Sequence, residues 1–395
     1  MKHTLKKKEG TFQTGNIVTI SIAHLVHDIY ASFLAPILPL IIDKLGISLL
    51  MAGLLDIFRK IPALANPFIG LLADRICVRY FIIIAPTISA VSMSLLGLAP
   101  HYIVLAILIF MAGIGSTLFH VPSPVMVKRT SGRQIGKGMS YYMLGGEIAR
   151  TLGPLTILGA VSLWGLEGTY RLIPFGVLTS VVLYFKIHKI DIRKDFSTQS
   201  DISARRTIKE MIPFFISIGG FIFFRAGMKS ALTIYLPTYL TFNGASLWMA
   251  GISLAILQLS GAAGTFLAGT VSDRIGRKKA LLIIAILNPI LMVLFIYSDG
   301  FLTIPILVVT GFFLFASGPV LLALVHDHDT KHMSLVNGVY MTFSFVLSSV
   351  MVLLVGWFAD RFGLVVSYKI MAVLSIGSVP FVLSFKTKNI ERKIV

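Results

Sequence analysis

The feature of this sequence that most constrains its fold is a succession of long apolar stretches. An α-helix rises about 1.5 Å per residue, so about 20 apolar residues cross the roughly 30 Å of hydrocarbon in a bilayer. Only 13% of the 395 residues are charged, against about 25% in soluble domains, and the mean hydropathy is +0.86. The sequence therefore predicts an all-α integral membrane protein with twelve transmembrane helices, at 17–43, 47–73, 80–99, 102–127, 136–161, 168–187, 209–242, 246–271, 279–298, 302–325, 334–358 and 364–385.

One long polar interval, "HKIDIRKDFSTQSDISARRTI", interrupts the apolar stretches in the middle of the chain. It separates six predicted spans from six more, so we interpret it as a linker between two helical bundles. The predicted organisation is a cytoplasmic N-terminal segment, a first six-helix bundle, the linker, a second six-helix bundle and a cytoplasmic tail, at 1–16, 17–187, 188–208, 209–385 and 386–395.

The basic residues predict the orientation of the chain in the membrane. If the N-terminus is cytoplasmic, 26 of the 35 Lys and Arg residues fall in cytoplasmic segments. Such a positive-inside bias sets the topology of membrane proteins, so both termini are expected in the cytoplasm. The formal net charge of +18 is then explained by topology and by anionic lipid, which disfavours nucleic acid as a partner.

An internal repeat supports the division into two halves. "GLLADRICVRY" begins at Gly70 and "GTVSDRIGRKK" begins at Gly269, an offset of 199 residues, and each follows the second span of its half. Tyr170 and Tyr368 match at nearly the same offset, at the start of the sixth span of each half. Duplications of this kind are common in transporters, whose halves move about a site near the midplane of the bilayer.

The repeated loop carries a family resemblance. The form G-x-x-x-D-R-x-G-R-K after the eighth span resembles the loop signature of the major facilitator superfamily. More closely, the chain resembles the fosmidomycin-resistance group of bacterial efflux proteins, through the H-x-x-x-D of span 1, "GIGSTLFH", "GG…LGPL", "DRIGRK" and "YKI". The resemblance implies two pseudo-symmetric six-helix bundles, transport by alternating access and a place in the bacterial inner (cytoplasmic) membrane. We expect a monomer without cofactor or resident metal.

The loop signature also has a physical interpretation. Glycine lets a neighbouring helix approach closely, and the Asp after it can cap a helix or pair with Arg. The resemblance implies that this cluster latches the cytoplasmic side and breaks during transport, whereas the alternative is that its basic residues only hold the loops against anionic lipid. The predicted gating residues are Gly70, Asp74, Arg75, Arg79, Gly269, Asp273, Arg274, Gly276 and Arg277.

After the loops and the ends of the predicted spans are set aside, eight fully charged residues remain inside the spans. A charge at the bilayer centre costs about 3 kcal/mol on insertion scales, so each is expected to face a partner or a wet cavity. In "HLVHDIY", the side chains of His24, His27 and Asp28 would share one helix face. The eight are Asp28, Asp56, Arg59, Lys60, Glu147, Arg150, Arg225 and Lys229.

These charges suggest a substrate class. Five cations against three anions favour an anionic or zwitterionic substrate, which arginine can bind through two parallel hydrogen bonds. Asp56 with Arg59, and Glu147 with Arg150, could instead be structural ion pairs. In the superfamily that the chain resembles, the first, fourth, seventh and tenth spans line the central cavity, which together with flanking helices implies substrate binding by His24, His27, Arg59, His120 and Arg225.

The sequence departs from the fosmidomycin-resistance pattern at several of these positions. His27 stands where that pattern favours Asn. Five residues are charged where the pattern is expected to be uncharged, so the substrate need not be the one that names the group. These five are Asp56, Arg59, Lys60, Glu147 and Arg150.

The energy source is predicted to be an ion gradient, since no phosphate-binding G-x-x-x-x-G-K-[ST] motif occurs. Carboxylates and imidazoles in a wet cavity can exchange protons, and Asp28 and Glu147 are the predicted proton carriers. Gly145, Ala149 and Gly153 precede a proline in span 5. Such a run packs helices tightly, and in the superfamily that the chain resembles it is associated with antiporters. We therefore predict proton-coupled export of a small amphipathic or anionic compound, as in drug efflux.

Three alternatives remain open on the sequence. The first is a proton-coupled importer of an organic anion on the same fold. The second is a divalent metal transporter, because H-x-x-H-D offers two imidazoles and a carboxylate on one helix face. The third is a membrane enzyme, although the sequence contains no recognised nucleophile or metalloprotease motif.

Overall fold

A computed structural model of the chain describes residues 11–65, 78–190, 211–327 and 333–385. These residues form α-helices joined by short turns, and no β-strand occurs among them. In chain order the helices are α1 Thr14–Ala31, α2 Leu34–Leu45, α3 Leu49–Lys60, α4 Arg79–Ser94, α5 Tyr102–His120, α6 Ser123–Ser131, α7 Ile135–Trp164, α8 Ile173–Ile187, α9 Ile212–Ser230, α10 Leu236–Phe242, α11 Leu247–Ile275, α12 Arg277–Ile296, α13 Thr303–His326, α14 Met333–Phe362, α15 Leu364–Ile376 and α16 Ser378–Ser384.

Ten stretches of helix in the described part of the chain are long and apolar enough to cross a membrane. They coincide with ten of the predicted spans, which confirms the predicted all-α membrane fold. The other two predicted spans, 47–73 and 136–161, fall on α3 and α7. Residues 66–73 of the first lie outside the described part, and α7 is less apolar because it contains Glu147 and Arg150.

Internal contacts divide the chain into two compact units. The first comprises Met1–Ser200 and Thr233–Leu259, and the second comprises Asp201–Leu232 and Ser260–Val395. The predicted linker, 188–208, lies almost entirely outside the described residues. Its role, and the bundle limits on either side of it, therefore stay predictions.

In the first unit, α1 and α7 pack closely because small residues of α7 face α1. A Cβ atom at Gly145 would lie 2.4 Å from the backbone oxygen of Ser21, and one at Gly153 would lie 2.5 Å from Cβ of Ser32. Ala149, between the two glycines, is fully buried. The tight helix packing predicted for this small-residue run is confirmed.

The same unit contains a segment from the second half of the sequence. The hydroxyl of Tyr235 donates a hydrogen bond to the backbone oxygen of Leu49 over 2.9 Å. The indole nitrogen of Trp248, in α11, donates to the hydroxyl of Ser162 in α7, also over 2.9 Å. Polar contacts of this kind hold residues 233–259 within the first unit.

In the second unit, α9 packs against α14 and against the last helices of the chain. A cluster of buried apolar residues, among them Phe215, Phe221 and Leu281, fills its interior. The fully buried Tyr368 donates a hydrogen bond from its hydroxyl to the backbone oxygen of Ala231 over 2.7 Å. Its counterpart in the repeat, Tyr170, is 43% exposed, so the two matching positions have different environments.

Candidate functional site

Asp28 lies between two histidine side chains in the first unit. Its Oδ2 is 3.2 Å from Nε2 of His24, one turn earlier on α1, and its Oδ1 is 3.1 Å from Nε2 of His120, the last residue of α5. The side chains of Asp28 and His24 are 15% and 6% exposed, whereas that of His120 is 39% exposed. The sequence predicted the contact between His24 and Asp28, and the structure adds His120 to the pair.

The contact between His24 and Asp28 requires a positive charge between its two atoms. Nδ1 of His24 lies 2.7 Å from the backbone oxygen of Tyr142, and since a carbonyl can only accept, Nδ1 must carry a hydrogen. A neutral imidazole in that form has a lone pair on Nε2, and an ionised carboxylate offers only lone pairs. Nε2 and Oδ2 are only 3.2 Å apart, and their facing lone pairs would repel each other. A proton or another cation therefore has to lie between the two atoms.

Tyr142 holds both imidazoles through different atoms. Its ring stacks on that of His24, with centroids 4.0 Å apart, while its backbone oxygen accepts from Nδ1. Its hydroxyl lies 3.4 Å from Nδ1 of His120. As a result, both histidines present Nε2 to the carboxylate of Asp28. No sequence pattern indicates this role, because a tyrosine in an apolar helix is ordinarily a packing residue.

Gly146 brings α7 against this group of side chains. A Cβ atom at this position would lie 2.7 Å from Cε1 and 2.9 Å from Nε2 of His24, and 3.3 Å from Oδ2 of Asp28. Only a glycine leaves the contact between the two side chains undisturbed, since real Cβ contacts below 3.0 Å essentially never occur.

His27 lies beside this group but makes no ion pair within it. Its side chain is fully buried, stacks on Phe119 with ring centroids 4.6 Å apart, and meets His120 edge-on at 5.5 Å. Neither of its ring nitrogens has a hydrogen-bond partner among the described residues. Among the described residues the ion-paired group therefore consists of His24, Asp28 and His120, and His27 lies beside it.

The charged residues of α3 form their own cluster. The buried carboxylate of Asp56 lies 2.9 Å from the guanidinium of Arg59 and 2.5 Å from Nζ of Lys60. Glu147 and Arg150 form an ion pair one turn apart on α7. Both i, i+3 pairs that the sequence left open as structural alternatives are thus present.

Among the described residues of the second unit, Arg225 of α9 is the most deeply buried charged residue. It is 9% exposed, and its guanidinium carbon lies 5.9 Å from the ring centre of Phe221. Among the described residues, its Nε has no hydrogen-bond partner and no carboxylate forms an ion pair with it. Tyr340, on α14, is its electrostatic neighbour.

The loop signature of the second half forms a cluster around Arg277. Its guanidinium lies 2.5 Å from Asp273 and 3.4 Å from Asp327, and it donates to the hydroxyl of Ser272. Gly276, which precedes α12, has a φ of +94°, a conformation that favours glycine. The predicted pairing of Asp with Arg is present in this loop.

The close approach of a helix predicted for the first glycine of this signature is not seen at Gly269 among the described residues. None of their atoms lies within 4 Å of a Cβ atom built at this position. In the first half, Gly70, Asp74 and Arg75 lie outside the described residues. Arg79, at the start of α4, donates a hydrogen bond to the backbone oxygen of Ile190 over 3.0 Å.

Comparisons with known proteins agree with the fold. A model of the Major Facilitator Superfamily matches residues 20–351. The "Fosmidomycin resistance protein" of Escherichia coli (strain K12) is 25% identical over 374 residues, which cover 92% of this chain and 90% of that protein.

Solved structures are similar as well. A bacterial homologue of the human lysosomal transporter Spinster superposes with a TM-score of 0.80 at 14% identity, over 94% of this chain and 96% of that one. A D-xylose-proton symporter superposes with a TM-score of 0.74 at 15% identity, over 94% of this chain and 97% of that one. At these identities the structural matches show the fold alone.

Proposed function

The chain belongs to the Major Facilitator Superfamily, and from that premise we propose that it is a proton-coupled antiporter that exports a small amphipathic or anionic compound by alternating access. It is a multi-pass membrane transporter. Its place in the bacterial inner membrane, with both termini in the cytoplasm, is part of the proposal.

The observation that carries the proton coupling is the position of Asp28 between His24 and His120. The tautomer of His24 leaves two lone pairs facing each other unless a proton is shared in the 3.2 Å contact. Loss of that proton turns an attraction into a repulsion, and so favours a different arrangement of α1, α5 and α7. A conformation that depends on one bound proton is the physical requirement for coupling a proton gradient to movement.

Arg225 supports an anionic substrate. A buried arginine without a carboxylate partner among the described residues is costly, and an anion that binds to it would offset that cost. The guanidinium offers parallel N–H groups that match a carboxylate, phosphate or phosphonate. In the first unit, His27 is also a proposed substrate-binding residue, since neither of its ring nitrogens has a hydrogen-bond partner among the described residues.

Arg59 and Glu147 are weaker candidates for these roles. Each already has an ion-pair partner on its own helix, Asp56 and Arg150 respectively. Glu147 remains our second proton-coupling candidate and Arg59 a further substrate contact, each available once its partner is displaced. The cluster around Arg277 remains the proposed cytoplasmic latch, together with Arg274, Asp273 and the corresponding residues of the first half.

The name of the Escherichia coli relative suggests a first probe. We propose fosmidomycin as one member of a panel of small organic anions, to be screened by thermal shift on the purified protein. The panel is needed because His27 and the charged residues of α3 and α7 depart from the fosmidomycin-resistance pattern. Anions that raise the melting temperature of the wild type, but not that of Arg225→Gln, are the candidate substrates.

Transport in proteoliposomes tests the direction. With a candidate anion inside the vesicles, an antiporter releases it faster when the external medium is acidified, because protons enter as the anion leaves. A symporter would instead accumulate external anion under the same gradient, and that result would replace export with import.

A further inference from the structure

We propose that His24, Asp28 and His120 form a binding site for a divalent transition metal ion of the Zn²⁺ class, and that the metal inhibits transport by taking the place of the shared proton. The site itself rests on geometry alone. Only the inhibition rests on the proposed function.

The donor atoms lie close to the spacing of a metal site. Donors of a tetrahedral Zn²⁺ ion, each about 2.0–2.2 Å from the metal, lie about 3.3 Å from one another. Here the two Nε2 atoms lie 3.2 Å and 3.1 Å from the two oxygens of Asp28. The three ligand atoms, one from each residue, fall within 4.8 Å of one another, so modest side-chain rotations bring them around one ion.

An unsatisfied atom points to an electrophile at this position. Oδ1 of Asp28 is buried and accepts no hydrogen bond from the described residues, although Nε2 of His120 is only 3.1 Å away. A buried carboxylate oxygen without a donor is unfavourable. A cation between the carboxylate and the imidazoles would satisfy this oxygen and both Nε2 lone pairs together.

The outer contacts of the site also suit a metal. Histidine ligands of metals almost always use their second ring nitrogen to bind a carbonyl, a carboxylate or water, which fixes the tautomer. Nδ1 of His24 donates to the backbone oxygen of Tyr142, and Nδ1 of His120 lies 3.4 Å from the hydroxyl of the same residue. Both imidazoles therefore turn Nε2 towards the same point.

The donor set favours one class of metal. Two imidazoles and one carboxylate suit Zn²⁺, Co²⁺ or Ni²⁺, whereas Ca²⁺ and Mg²⁺ require a shell made mainly of oxygen atoms. His27 is not a ligand in this proposal, because it stacks on Phe119 outside the group. The partly exposed side chain of His120 offers a route of entry.

Isothermal titration calorimetry of the purified, tag-free protein with ZnCl₂ tests the binding of Zn²⁺. We expect one Zn²⁺ per chain in the wild type, and binding at least tenfold weaker in His120→Ala and in Asp28→Asn, since loss of even a supporting contact costs about 10–100-fold in metal affinity. His101→Ala, at an exposed histidine outside the group, serves as the control that retains binding. Melting curves without metal establish that each variant is folded.

Undiminished affinity in both His120→Ala and Asp28→Asn, or no binding to the wild type, would overturn the site. The inhibition is measured separately, as anion flux in proteoliposomes with ZnCl₂ and after addition of a chelator. Reversible inhibition in the wild type supports the replacement of the proton. Binding that leaves the flux unchanged contradicts the replacement, and absence of all flux contradicts the transport proposal while the binding result stands.

Discussion

Nε2 of His120, at the end of α5, lies 3.1 Å from Oδ1 of Asp28, in the last turn of α1. Through this contact one carboxylate joins residues of two helices, and the stacking of Tyr142 on His24 adds α7 as a third. A change in the charge of Asp28 therefore acts on three helices at once.

Substitution of Gly146 by alanine should disrupt the contact between His24 and Asp28. The new Cβ would lie 2.9 Å from Nε2 of His24, so the imidazole or α7 must move. We expect a loss of about 1–3 kcal/mol in stability, as for overpacked cores, seen as a lower melting temperature in detergent. Gly159→Ala, on the same helix but with nothing within 4 Å, is the matched control. Equal melting temperatures for the two variants would contradict the described packing.

Substitution of His24 by glutamine should weaken the coupling of anion transport to the proton gradient more than it weakens the binding of substrate. A side-chain amide can donate to the carboxylate of Asp28 without any extra proton, so the contact would no longer depend on protonation. We expect anion exchange at equal pH within about twofold of the wild type and a much smaller response to a pH gradient. If the gradient drives His24→Gln as strongly as the wild type, the shared proton does not lie in this contact.

Substitution of Arg225 by glutamine should weaken the binding of anions. A hydrogen bond to a charged group contributes about 1.5–3 kcal/mol, so the dissociation constant should rise about 10–150-fold. Arg225→Lys keeps the charge but loses the planar pair of donors. Its dissociation constant should lie between those of the wild type and Arg225→Gln. Thermal-shift titration with the selected anion measures the effect, and Arg171→Gln, at an exposed arginine, is the control. Unchanged affinity in Arg225→Gln would remove this residue from the substrate site.

Glu147 and Arg150 should behave as a coupled pair. Removing one partner leaves an unpaired charge inside the membrane, whereas removing both does not. We therefore expect Glu147→Gln and Arg150→Gln each to lower the melting temperature, and the double variant to recover most of the loss with proton-driven transport intact. A stable double variant that no longer responds to a pH gradient would instead identify Glu147 as a coupling carboxylate.

Much of the fold follows from the sequence, because hydropathy and length alone decide whether a helix can cross the bilayer. The tight packing of Gly145 and Gly153 against α1 was also predictable from their spacing. The contact of His24 with Asp28 followed from the periodicity of one helix.

The remaining members of the site could not be found in this way. His120 reaches Asp28 only through the packing of α5 beside α1, which no local pattern encodes. Tyr142 acts partly through its backbone oxygen, which every residue possesses. His27 shows the opposite case, since helical periodicity places it with His24 and Asp28, yet the ring of Phe119 provides a stacking surface that keeps it out of the ion pairs.

The most direct test of proton coupling at Asp28 is the proton flux that accompanies anion efflux from proteoliposomes, recorded with a pH-sensitive dye. The wild type should take up protons whenever the selected anion leaves, and Asp28→Asn should exchange the anion without moving protons. Asp43→Asn, at an exposed acidic residue, should behave as the wild type. Proton uptake by Asp28→Asn equal to that of the wild type would contradict the account.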